Sequence, residues 1–191
     1  MNTDKFRWPA AVLGFQLLIL GLGLAACTLT QPQSDTVRHF TLAEPTSVPA
    51  AAEGTRVQPV QISGHLRSRS MAVRVAENEV IYLDEVVWAE PLADGITKML
   101  RNRLAPIASD ALVSVQIERC ELDRSAGNTV QLVASYSITP QDSNKLSETR
   151  GLFTAAPRTW DGKNFGALVG LLHEAVSELA DRLVTQLPAK K

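Results

Sequence analysis

Apolar positions change their spacing several times along this chain, and each change marks an element. Between residues 10 and 24 nearly every side chain is apolar, with Gln16 the one break. A polar stretch follows to Thr36, and then short β-rich runs begin: "RHFTL" (38–42), "VQPVQIS" (57–63), "MAVRVA" (71–76) and "NEVIYLDEVVWA" (78–89). Their β-branched and aromatic content predicts strands. Pro59 has no N–H to give a ladder, so the second run is expected to be an edge strand or to start irregularly. Residues 43–55 hold two prolines, a glycine and four alanines and read as a loop.

The period then switches from two to about 3.6. Leu92, Ile96, Met99 or Leu100, and Leu104 recur at helical spacing within "EPLADGITKMLRNRLAPI". Pro91 suits a first helical turn, where its missing N–H costs nothing. Glu90 and Asp94 suit the positive N-terminus, and Lys98, Arg101 and Arg103 suit the other end. Pro106 closes the helix. Alternation returns in "ALVSVQIERCEL" (111–122), "NTVQLVASYSI" (128–138) and "SETRGLFTAA" (147–156), joined by turns at 124–128 and around 140–144. This is the pattern of an antiparallel meander. From Asn164 to Leu187 a single stripe of Phe165, Leu168, Val169, Leu172, Val176, Leu179, Leu183 and Leu187 predicts the longest helix. Asp161 or Asn164 is its expected cap. Its flanks carry Glu174, Glu178 and Asp181 rather than lysines, which suits packing on a core better than lying on a membrane. The expected fold class is α/β (α+β): one domain over 38–188, with a mixed, mostly antiparallel sheet and two main amphipathic helices packed on it.

The apolar run near the start has its own logic. Lys5 and Arg7 precede it, and its 15 residues fall short of the about 20 needed to span a bilayer. A positive head, a short apolar middle and small residues at the end describe a secretory signal peptide. Its last residues, Leu24-Ala25-Ala26-Cys27, resemble the bacterial lipobox, in which the cysteine sulfur is acylated and cleavage falls just before it. That resemblance implies a lipoprotein signal peptide over 1–26, a lipidated Cys27, and a flexible tether over 27–37. The competing reading is an ordinary signal peptide, or a buried N-terminal helix, with Cys27 placed by chance. One acyl chain binds a membrane only marginally, at about 0.8 kcal/mol per buried CH₂. The three chains usual in such lipoproteins would make release very slow. Residue 28 is Thr rather than the Asp that often retains lipoproteins at the inner membrane. By resemblance to that sorting rule, the expected location is the periplasmic side of the outer membrane of a Gram-negative cell.

Removing residues 1–26 takes away Lys5, Arg7 and Asp4 and leaves 17 basic and 19 acidic side chains, net −2. So balanced a charge argues against a nucleic-acid partner. With Cys27 acylated, Cys120 has no intrachain partner and is expected to be a small buried side chain.

No motif for bond chemistry emerges. His39, His65 and His173 lack a second ligand at metal spacing, and "HEAVSE" (173–178) lacks the second histidine of the zinc-protease motif. Neither a nucleophile elbow nor a phosphate loop is present, and Ser68 and Ser70 sit beside arginines with no evident base. The expectation is a protein that is not an enzyme and holds no metal or cofactor. Two stretches still stand out. "GHLRSRS" (64–70) is a basic loop, with His65, Arg67 and Arg69 placed either in a solvated turn or on a contact surface for an acidic partner or a lipid phosphate. In "VVWAEPLADGI" (86–96) Trp88 either packs under the following helix or anchors an interface.

Trp88-Ala89-Glu90-Pro91-Leu92, followed by Ile96, Leu100 and Leu104, resembles the hallmark W-A-E-P-L segment of the ABC-type transport auxiliary lipoprotein family (PqiC-like). The order of a lipobox, a short strand near "HFTL" (39–42), the strands leading into Trp88 and a C-terminal amphipathic helix is similar to that family over nearly the whole mature chain. Two positions depart from it. Val87 stands where an arginine is common, and Ser63 stands in a loop that often holds a proline. The resemblance implies an accessory subunit of an MCE-type ABC system that moves lipids or other hydrophobic compounds across the periplasm. It implies an MCE-domain protein as partner and membrane attachment through Cys27. It leaves room for self-association and for a lipid ligand. Trp88, Glu90, Pro91 and Leu92 are its candidate interface residues. The rival function is a structural lipoprotein that tethers the envelope without transport. A hydrolase would need a cleft holding a perturbed carboxylate or histidine.

Overall fold

A computed structural model describes residues 36–42, 55–141 and 148–188; Cys27, the signal segment and the tether up to residue 35 lie outside the described residues. The strands are β1 (Arg38–Phe40), β2 (Arg56–Val57), β3 (Gln61–Ile62), β4 (Ser70–Ala76), β5 (Glu79–Trp88), β6 (Ala111–Asp123), β7 (Thr129–Pro140), β8 (Thr149–Thr154) and β9 (Arg158–Thr159). The helices are α1 (Leu92–Leu104) and α2 (Phe165–Gln186). All nine strands join one sheet in the order β1-β5-β4-β6-β7-β8, with β2 and β3 beside β6 and β9 beside β7. The long ladders, β4–β5, β6–β7 and β7–β8, are antiparallel. The short pairings of β1 with β5 and of β2, β3 and β4 with β6 are parallel. The mixed α+β sheet with two helices is therefore as expected, and it stays open.

Three details go beyond the sequence pattern. The 57–63 run is two strands, not one. Pro59 interrupts the ladder, and α1 side chains take over the hydrogen bonding there: Val60 N–H donates to Thr97 Oγ1 at 2.9 Å, and Arg101 donates to the Val57 carbonyl at 3.2 Å. In β6 the inward residues are Val113, Val115 and Ile117, then Cys120 and Leu122. The shift of one in parity comes from a bulge between Ile117 and Arg119. It keeps both halves of the strand on one core while turning Arg119, Glu121 and Asp123 to the other face. Strand β9, invisible in the apolar pattern, extends the β7 edge past β8.

One face of the sheet carries the core. Leu168, Leu172, Leu179 and Leu183 of α2, and Ile96, Leu100 and Leu104 of α1, are fully buried there. Each such side chain contributes about 1.5–3 kcal/mol through removal from water. The cap of α2 is Asn164, whose Oδ1 accepts from Gly166 N–H at 2.8 Å, while Asp161 instead accepts from Lys163 N–H. The hairpin turn between β6 and β7 places Gly127 and Asn128 at positive φ, residue types that tolerate it. Among the described residues no helix is long and apolar enough to cross a membrane.

Candidate functional site

The basic loop and the tryptophan segment meet at one end of the sheet. Trp88 closes β5 between two neighbours: its N–H donates to the Arg69 carbonyl at 2.7 Å, and the next N–H, of Ala89, donates to the Phe40 carbonyl at 2.8 Å. The two stretches singled out in the sequence are thus stitched together by backbone. The Trp88 indole is buried in the core. Glu90 pairs with Lys98 of α1. Pro91 precedes α1 and supplies no capping side chain.

Residues 64–67 form a 3₁₀ turn between β3 and β4. Leu66 is its buried apolar foot. Ser63 Oγ reaches Glu118 at 3.4 Å, and Tyr82 Oη donates to the His65 carbonyl at 3.1 Å. His65 turns inward, with Nε2 2.9 Å from Glu121 Oε2. The side chain of Glu121 has no exposed surface. Its other oxygen accepts from Arg74 Nε at 2.6 Å and Arg119 Nε at 3.1 Å. Arg119 also donates to Asp123 Oδ2 at 2.8 Å. Burial pushes the Asp123 carboxyl up, but hydrogen bonds from Ser125, Arg119 and the Ala126 N–H outweigh it, and the group sits below the usual carboxylate range. On the core side of the same strand, burial and then the Glu121 charge push the Cys120 thiol up to about 12.

This buried cluster is what sequence reading missed. The signal was present in "ERCELD": Arg119, Glu121 and Asp123 alternate, and alternation in a strand places them on one face. The bulge hid which face that was. Among the described residues no group of three His, Cys, Asp or Glu side chains is arranged to hold a metal ion. His173 is distant from the cluster in role, its Nδ1 donating to the Leu42 carbonyl at 3.0 Å.

With His65 anchored, Arg67 and Arg69 are left facing solvent. Neither guanidinium has an ion-pair partner among the described residues. Arg67 stands on a crevice of about 310 Å³ whose other walls are Val60, Gln61, Ile62, Pro91, Leu92 and Ala93. The structure therefore brings Arg67 together with Pro91 and Leu92, buries Trp88 in the core, and sends His65 to Glu121. The crevice combines apolar walls, one free cation and the positive end of α1.

The model of the ABC-type transport auxiliary lipoprotein component matches residues 40–184, from the last residue of β1 almost to the end of α2. The chain belongs to this family. Within this auxiliary lipoprotein the matched stretch spans the loop, the tryptophan segment and both helices. Its fold is shared by a crystal structure of an uncharacterized protein, with a TM-score of 0.61 at 13% identity over 78% of this chain and 96% of that one. A Xanthomonas campestris protein has the same TM-score at 17% identity, over 77% of this chain and 92% of that one. At such identities the likeness is one of fold. No curated protein matches the sequence. The family assigns the auxiliary lipoprotein an accessory part in ABC-type transport.

Proposed function

We propose that this auxiliary lipoprotein is the docking or binding subunit of an MCE-type ABC system that carries lipids or other hydrophobic compounds across the envelope. Acylation of Cys27 holds it on the periplasmic side of the outer membrane, and an MCE-domain protein is its partner. The family match over residues 40–184 carries the reading. Its chemistry is recognition rather than bond breaking. Confinement to a membrane surface raises its effective concentration near the end of a conduit, so modest contacts suffice. The contact positions are Arg67 and Arg69 with Pro91 and Leu92, the exposed or crevice-lining members of the two meeting stretches. Trp88 anchors the tryptophan stretch in the core, and Glu90 pairs with Lys98.

The test is capture of the full-length lipoprotein from detergent-solubilised envelopes, beside a Cys27→Ala control, with mass spectrometry of bound proteins and lipids. Recovery of an MCE-domain protein, weakened in the control, supports docking at a transport conduit. Recovery of peptidoglycan-associated proteins alone overturns it and favours an envelope tether.

A further inference from the structure

The face of β6 and β7 turned away from the core carries a groove of about 360 Å³, within the about 300–1,000 Å³ range of ligand sites. The strand register builds it in two rows. Gln61 of β3 stands beside Gln116 of β6, Gln116 beside Ser135 of β7, and Ser135 beside Leu152 of β8. In the second row Ser114 of β6 stands beside Ser137 of β7, and Ser137 beside Arg150 of β8. Gln58 closes this row, its Oε1 accepting from Ser114 Oγ at 2.7 Å. Neighbouring strands lie about 4.8 Å apart, so the first row crosses roughly 14 Å of sheet. The serines are shorter than the glutamines and the arginine beside them, which keeps the floor low between β3 and β8.

The chemistry of the groove narrows its occupant. Among the described residues its charged members are Glu148 and Arg150, and they neutralise each other. Arg150 Nε donates to Glu148 Oε2 at 2.8 Å, and the Ser137 hydroxyl also donates to that carboxylate. No unpaired cation is left there for a phosphate. An acyl chain would take water from the polar floor and return no hydrogen bonds. An extended peptide adds to a sheet through its edge, and the backbones of β6 and β7 are already paired on both sides here. The groups still to be met are the Gln61 and Gln116 amides, the Gln58 N–H₂ and the Ser135 hydroxyl. Amides and hydroxyls both donate and accept without charge. Sugar hydroxyls and N-acetyl amides have the same double character. The flanks are apolar: Pro59 is exposed on one side, and Leu152, 70% exposed, shares the face of Ser135 on the other. The C–H faces of a pyranose ring suit such groups.

We propose that this groove docks the neutral glycan strand of the cell wall, a polymer of N-acetylated amino sugars. The lipoprotein reading puts the domain in the compartment that holds this polymer; apart from that location the proposal is independent of the transport reading. Hydrogen bonds between uncharged groups in an open groove are individually weak, and the repeats of the strand raise the occupancy.

The test sediments the full-length chain, in detergent, with purified cell-wall sacculi. The chain is expected in the pellet, and soluble N-acetylglucosamine hexamer is expected to release it. Gln58→Ala combined with Gln116→Ala removes two exposed amides and is expected to weaken co-sedimentation about tenfold with thermal unfolding unchanged. That pair spares Gln61, which also borders the crevice beside Arg67, so failure here and failure of the transport reading are read separately. Asp84→Ala, exposed on β5, is expected to sediment like the natural chain. Absence from the pellet, retention in the presence of the hexamer, release by anionic phospholipid vesicles in its place, equal sedimentation of the glutamine variant, or an equal loss in Asp84→Ala would each overturn the proposal.

Discussion

Glu121 Oε2 lies 2.9 Å from His65 Nε2, joining a residue of the basic loop to a carboxylate 56 positions later on the central strand. The contact decides what the loop presents. It draws the histidine under the turn and leaves the two arginines outside. It also explains how a carboxylate can be fully buried: Arg74 and Arg119 share its second oxygen.

Removing that carboxylate leaves His65, Arg74 and Arg119 without their shared acceptor. Glu121→Ala is expected to destabilise the domain by about 3–5 kcal/mol, the range for breaking one side of a buried ion pair. Urea unfolding measures it. A loss below about 1 kcal/mol would mean the cluster is dispensable.

Acid should weaken the same region through Asp123. Its carboxyl titrates lower in the folded protein than the about 3.9 of an unfolded chain. In that window the unfolded state binds more protons, so the contribution is complete above the unfolded value and is lost as pH falls through the folded one. Urea midpoints followed into acid should drop more steeply for the natural chain than for Asp123→Asn.

Arg67→Glu combined with Arg69→Glu is expected to reduce capture of the transport partner while changing stability by less than about 0.5 kcal/mol, as befits exposed side chains without partners. Thermal unfolding and the pull-down, run side by side, separate the two effects. Equal capture by the double variant would remove the loop from the contact surface.

The Cys120 thiol should be inert in the folded state. A value near 12 leaves about a thousandfold less thiolate than an ordinary cysteine at neutral pH. Labelling in a Cys27→Ala background should be slow until denaturant is added, and rapid labelling of the native protein would contradict its burial.

Gly151 matters for space rather than for φ. A β-carbon there would overlap the ring of Tyr136 on the paired strand. Gly151→Ala is expected to cost about 1–3 kcal/mol, as overpacking does. In the Tyr136→Ala background the same change should cost much less, and a double-mutant cycle reads the difference.

Elements with a steady period were legible in the sequence. The α2 stripe, the α1 start at Pro91 and the β6–β7–β8 meander follow from local spacing, since burial on one face imposes that spacing on the residues themselves. The Trp88-to-Leu92 stretch was legible too, as the resemblance that set the expected family. What period cannot carry is a change of phase or a contact between distant segments. The bulge after Ile117 reverses which β6 residues face inward, and Pro59 divides one apparent strand in two. Likewise, nothing local in "GHLRSRS" says that His65 will find Glu121 while Arg67 joins Pro91 and Leu92. Those outcomes depend on which strands become neighbours, as where β4 meets β6 with Val73 beside Leu122 and Arg74 beside Asp123. The sequence by itself determined which residues seek the core; the tertiary structure decided which of the remaining charges are buried together and which are left for a partner.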